Sequence, residues 1–226
     1  DIGPAKGWMD MKKYKLFSVN LKKEENWIQS IIEQGYRLKR KSPWSACYEF
    51  EPSEEKNFIP IVRIDYRLFK KREEFEDYIM MFEDSGWKHI GGTKNSGCQY
   101  FEKSKKDASE DIFSDQSSKA ERYKRISNNW LSIMIAYLPI VIVFISTGIF
   151  KIDSFFHLKE LYYTPGLWEL SGFSFWRAFL FETPFALMRG FSGWLFIAMI
   201  FLYGLFGLKA LYWYHKEKKL NDNIHH

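Results

Sequence analysis

From Trp130 to Phe150 the chain reads WLSIMIAYLPIVIVFISTGIF, 21 residues without a charge. At 1.5 Å per residue, a helix of that length crosses a hydrocarbon core of about 30 Å. Helices of soluble domains bury one stripe and carry charge on the other, so the run predicts a membrane span. Pro139 sits mid-run, where it can kink the helix. A second span is predicted over 190–214, within which Gly193–Leu208 is wholly uncharged. Trp130 on the first run, and Tyr212, Trp213 and Tyr214 on the second, suit the aromatic belts at a membrane interface.

The charges agree with this. Residues 1–130 hold 25 Lys/Arg against 22 Asp/Glu, and residues 131–226 hold 8 against 6. Neither part has the concentrated basic stripe that nucleic acid requires, so nucleic acid is not an expected partner. The basic residues cluster outside the apolar runs: Lys119, Arg122, Lys124 and Arg125 before the first, and Lys209, Lys216, Lys218 and Lys219 at the end of the second. By the positive-inside rule, this predicts a multi-pass hairpin in a cell membrane with both termini cytoplasmic. Arg122, Lys124, Arg125, Lys216 and Lys218 are then candidates for contact with anionic membrane lipids. Cys47 and Cys98, the only two cysteines, are expected to be free thiols on the reducing side.

The connection, 151–189, carries four Lys/Arg and four Asp/Glu and can face outside. It contains SFFHLKELYY and then GLWELSGFSFWRAFLFETPFALM. Phe173–Met188 can lie flat as an amphipathic segment, re-enter the bilayer or span it. A third span would put the closing lysines outside, and Arg177 and Glu182 oppose full insertion, so the interfacial reading is favoured. Trp176, Arg177 and Glu182 are the interface candidates here. A cap that merely covers the hairpin is the plainer alternative.

The N-terminal part repeats itself. Tyr14–Phe17 (YKLF) returns as Tyr66–Phe69 (YRLF), Gly35-Tyr36-Arg37 as Gly86-Trp87-Lys88, and Phe50-Glu51 as Phe101-Glu102, at offsets of 51 to 52. Each copy reads strand, helix, strand. The helices are predicted over Lys22–Gln34 and Arg72–Ser85, with Gly35 and Gly86 as caps. The strands are predicted over Lys12–Val19, Trp44–Glu51, Phe58–Leu68 and Gln99–Lys103. Two βαβ units give an α+β, ferredoxin-like β-α-β-β-α-β domain over 11–103, with one sheet face left open. A polar linker and pre-membrane helix over 104–129 and the all-α two-span hairpin follow. The open face or a sheet edge is the expected place for a protein partner or a second copy, with Arg63, Asp65, Arg67 and Glu49 as candidate surface residues.

Catalytic patterns are scarce. Gly91-Gly92 lacks Walker spacing and reads as a turn. There is no CxxC, no HExxH and no His pair at helical spacing, so neither a metal nor a cofactor is expected. Arg177 and Glu182 alone make a thin constellation for a membrane enzyme. Non-enzymatic function is the expectation.

The segments KKYKLF, EQGYRLKR, CYEFE, EDSGWKHI and CQYF, over about Met11–Lys103, resemble a bacterial family known as domain of unknown function 2812. The following hydrophobic hairpin is also typical of it. These motifs are helix caps and strands, so no active-site residue carries over. Members are often encoded beside PadR-type regulators, and the resemblance implies a role in envelope or antimicrobial-stress response. The leading expectation is a regulatory or interaction module whose cytoplasmic domain binds a protein partner. The alternative is an immunity or transport-complex component acting through the hairpin and its outer segment.

Overall fold

The computed structural model describes residues 10–43, 45–53, 59–148 and 157–222. The chain forms two compact units. One takes in the residues up to Ser127 together with those from Leu208 onward; the other is Asn128–Gly207.

The first unit is an α+β domain. In chain order it has β1 (Met11–Tyr14), α1 (Leu21–Ile32), β2 (Tyr36–Lys41), β3 (Cys47–Pro52), β4 (Val62–Tyr66), α2 (Arg72–Asp84), β5 (Trp87–Gly91) and β6 (Cys98–Lys103). The sheet runs β1-β3-β2-β5-β6-β4. Six strands replace the expected four, and the order differs from the ferredoxin-like one. The repeating unit is βαββ. β2 and β5 escape a hydropathy reading because YRLKRK and WKHIG each place few apolar residues inward. Leu38 alone carries the core contact of the first, with no exposure at all. The basic residues around it are matched by carboxylates instead. Arg37 meets Glu51 at 3.6 Å and Glu102 at 3.2 Å, and Lys39 meets Glu51 at 3.3 Å.

The two halves share their register. Tyr14 lies opposite Cys47 and Tyr66 opposite Cys98. Bulges fall between Leu38 and Arg40 and between His89 and Gly91. Gly35 and Gly86 end the two helices with φ of 93° and 86°, the left-handed turn that glycine accepts freely. The halves meet where β2 and β5 run parallel, at Lys41 and Gly91.

Adjacent strand residues point to opposite faces. Tyr100 reaches α1 through Glu24, while Phe101 packs with Tyr78 and Phe82 of α2. The two helices therefore lie on opposite faces, in place of the single helix-free face expected from the ferredoxin-like reading. One core joins Trp27 of α1 to Tyr48 and Phe50, with ring centroids 4.9 and 6.0 Å apart. The other joins Tyr78, Phe82, Trp87 and Phe101. Residues 104–115 are not a loose tether. Ile112 packs on the second core, and Asp111 pairs with Lys119 at 2.6 Å. Asp115 then caps α3 (Gln116–Ser146) by accepting from the Ser118 amide at 2.6 Å. Those hydrogen bonds hold its carboxyl down at about 2.

The second unit holds the rest of α3 and most of α4 (Gly172–Asp222), a single helix of 51 residues. Two stretches, Ser117–Ser146 and Trp194–Leu220, are long and apolar enough to cross a membrane. Within the unit the helices run antiparallel. Trp130 stacks on Tyr203 at 5.5 Å, and Phe144 meets Phe196 at 5.3 Å. Phe173–Met188 is part of α4 itself.

Leu38→Ala should lower the stability of the domain by about 2–5 kcal/mol, as for other buried Leu truncations, whereas exposed Arg40→Ala should stay within about 0.5 kcal/mol. Urea unfolding of the full chain in detergent, followed by the circular dichroism of the domain, checks this. Equal small effects would show that β2 is no core strand.

Candidate functional site

Strand β4 forms one edge of the sheet, and an unpaired edge is open to further pairing. Here its outward main-chain groups are taken by side chains of two helices. The Ile64 amide donates to Glu25 Oε1 at 3.0 Å. Arg122 Nη1 donates to the Ile64 carbonyl at 2.6 Å and to Glu25 Oε1 at 2.6 Å. One turn on, Arg125 Nε donates to the Tyr66 carbonyl at 2.6 Å, and its Nη2 meets Asp65 Oδ1 at 2.5 Å. Tyr78 of α2 donates its hydroxyl to the other Asp65 oxygen at 2.7 Å. Arginines at i and i+3 share one helix face, which is why α3 can reach two successive edge carbonyls.

The same helix caps α1. The Lys22 amide, one of the donors a helix start leaves without an internal partner, donates to the Tyr123 hydroxyl at 3.3 Å. Tyr123 also stacks on Trp213 at 6.4 Å, and the Lys124 ammonium lies 5.6 Å from the Tyr214 ring. Lys209 donates to the Ser18 hydroxyl at 2.8 Å. Thus α1, β4, the start of α3 and the end of α4 are pinned together.

Beside this latch lies a buried polar centre. Glu24 Oε1 accepts from the Tyr48 and Tyr100 hydroxyls, each at 2.6 Å. Burial pushes its carboxyl above the usual carboxylate range, although both tyrosines and Lys41 pull it back. Burial in turn lowers Lys41, whose ammonium donates to the Ser42 and Ser45 carbonyls at 2.7 Å each. The Cys98 thiol is pushed up to about 12, chiefly by burial, and is therefore a poor nucleophile. Cys47 and Cys98 are both free. Among the described residues no group of three or more His, Cys, Asp or Glu could hold a metal ion.

The candidate residues divide as follows. Arg122 is fully buried and Arg125 is engaged with β4, so these two bind the domain, not lipid headgroups. Two edge carbonyls and two carboxylates draw them inward. Lys124, Lys216 and Lys218 are exposed, with the Lys216 ammonium 4.8 Å from the Trp213 ring. Asp65 is buried under Arg125 and Tyr78 and offers no surface. Arg63 is half-buried, 3.8 Å from Asp111, and Glu49 pairs with Lys12 at 3.3 Å. Arg67 stays accessible. With Leu68, Phe69, Tyr78 and Met81 it lines an open groove of about 420 Å³ along α2.

In the second unit Trp176 and Arg177 are exposed, while Glu182 is buried and accepts from the Tyr163 amide at 3.2 Å and the Thr164 hydroxyl at 3.0 Å. Glu24, Glu25, Tyr48, Tyr100 and Tyr123 form no sequence motif. Only the two carboxylates carry a signal, the helical period: Glu24 and Glu25 stand four and three residues before Ile28, on the apolar face of α1.

A family model described as "Protein of unknown function (DUF2812)" matches residues 20–135. No curated protein and no solved structure matches the chain.

Two outcomes are expected. Arg122→Ala leaves Glu25 buried without its partner and should cost about 3–5 kcal/mol, while half-exposed Arg125→Ala should cost less. Urea unfolding of each variant checks the ranking. For Glu24, the folded state keeps a proton that the unfolded chain has released, between the ordinary carboxylate range and its raised folded value. Its contribution to stability therefore falls as pH rises through that window. Glu24→Gln keeps an oxygen for the tyrosines and should flatten that fall. An unchanged slope would assign the titration to another group.

Proposed function

Starting from a chain that belongs to the DUF2812 family, we propose a non-enzymatic, membrane-anchored regulatory or interaction protein. Its α+β domain lies on the cytoplasmic side, both termini are cytoplasmic, and α3 and α4 form the two-span hairpin. The domain binds a protein partner, and the setting is envelope or antimicrobial-stress response, as the family resemblance implies.

The observation that carries this reading is the continuity of α3. One end of the helix holds the β4 edge through Arg122 and Arg125, and the other end is the first apolar stretch. A purely passive anchor needs no such attachment. The groove beside α2 supplies a docking place, with exposed Leu68 and Met81 and the Arg67 guanidinium at its rim.

Affinity capture from native membranes, read by mass spectrometry, tests the reading. Met81→Asp and Leu68→Asp should each lose a specific partner while leaving membrane insertion intact. Capture unchanged by both would remove the domain as the docking element. Function would then move to the hairpin and its outer segment, the immunity or transport reading.

A further inference from the structure

Helix α2 carries a charge that its fold does not call for. Its 13 residues, REEFEDYIMMFED, hold six carboxylates and one arginine, in a chain whose net charge is +5. Glu73 and Glu74 in the first turn suit the helix dipole, but Glu83 and Asp84 stand in the last turn, where the dipole disfavours them. Among the described residues, Glu76 alone of the six has an ion pair, to Arg72 at 2.6 Å. The other half of the domain lacks the pattern. At the offset of 51, Glu73, Glu74 and Asp77 correspond to Lys22, Lys23 and Asn26 of α1.

These acids border an apolar groove. Glu74, Asp77, Tyr78 and Met81 follow one another at helical spacing and line it from α2, and Leu68 and Phe69 line it from the segment after β4. Met81 is 52% and Leu68 46% exposed, a large share for side chains with no polar atom to solvate. The Arg67 guanidinium is turned onto the Tyr78 ring, 5.4 Å away, and neither Glu74 nor Asp77 has an ion pair among the described residues. Methionine on a surface adapts its shape to an apolar partner, and carboxylates on the rim select the partner's charge.

We propose that this groove takes a cationic amphipathic helix of the protein partner. The apolar side of that helix lies on Leu68, Phe69 and Met81, and its lysines or arginines meet Glu74 and Asp77. The proposal deepens the docking role given to the groove above and rests on it. An acidic partner, an anionic lipid surface or a nucleic acid would meet like charge along α2. A helix laid along the groove meets acid and apolar groups at its own period of three to four residues, over the roughly 20 Å that 13 residues of α2 provide.

The test uses the full chain in nanodiscs of uncharged phosphatidylcholine, with empty nanodiscs as blank. The probe is a fluorescein-labelled peptide of Leu and Lys, with Leu at i, i+3, i+4 and i+7, read by fluorescence anisotropy. A twin with Glu in place of Lys and a scrambled Leu/Lys peptide are the comparisons. The Lys helix should bind about tenfold or more tighter than either. Joint Glu74→Lys and Asp77→Lys substitution, both at exposed positions, should weaken the Lys helix about tenfold and let the Glu twin bind. Met81→Gln, which removes apolar contact without adding charge, should weaken the Lys helix too. Equal binding of the Lys helix and either comparison, or a Lys helix unmoved by the charge reversal, overturns the proposal. If Met81→Asp and Leu68→Asp still lose the native partner in that case, the groove stands as the docking place for a partner of other chemistry. If native capture is unmoved as well, both readings fall.

Discussion

The buried pair of Arg122 and Glu25 governs the first unit. Glu25 alone in that position would be a desolvated charge, which costs several kcal/mol. Its single Oε1 atom takes both the Ile64 amide and the Arg122 guanidinium, so helix α1, strand β4 and helix α3 converge on one oxygen. The same guanidinium satisfies the Ile64 carbonyl. Removal of Arg122 strips buried Glu25 of its counter-charge, and removal of Glu25 does the same to buried Arg122. That mutual need, more than the net strength of the ion pair, holds the start of a membrane-length helix in a fixed place on a sheet edge. Edge strands elsewhere are guarded by charge, as Lys12 and Lys13 guard β1. At β4 the guard is another helix.

The duplicated βαββ plan explains the placement of the remaining parts. Because the halves meet through parallel strands, the symmetry that relates them turns one over. Helix α1 is left on one face and α2 on the other. The Glu24 centre thus forms on the α1 face between Tyr48 of one half and Tyr100 of the other, a contact that neither half contains alone. At the same offset of 51, Glu24 and Tyr48 correspond to Phe75 and Gln99 on the α2 side, and buried Gln99 bonds His89 at 3.1 Å instead of a carboxylate. Duplication supplied the frame, and the α2 face carries its own buried carboxylate, Asp65, which accepts from the Tyr78 hydroxyl at 2.7 Å.

The second unit inverts the usual arrangement. Its polar groups, Glu182, Thr183, Tyr162 and Thr164, bond one another under the cover, while Phe173, Leu180 and Phe181 face outward. A protein surface in water does the reverse. Such an exterior fits an environment of other apolar groups, whether a bilayer around the paired helices or protein beyond it.

Properties that are local in the chain were readable from the residues. The uncharged run at Trp130 is a matter of transfer free energy per residue, and it places the apolar helices. The repeat at offsets of 51 to 52 and the caps at Gly35 and Gly86 reflect short-range backbone demands, and they place both domain helices and four of the six strands. Strands β2 and β5 were hidden because a single buried Leu38 among basic residues leaves no period to see. The fate of Arg122 and Arg125 was hidden for a different reason. Beside an apolar run, arginine reads as a lipid-facing anchor, and only the three-dimensional proximity of two bare carbonyls and two carboxylates turns it inward. Partners 60 to 97 residues distant in the chain leave no mark on local hydropathy. Tertiary packing alone decided which charges stay exposed and which hold the domain together.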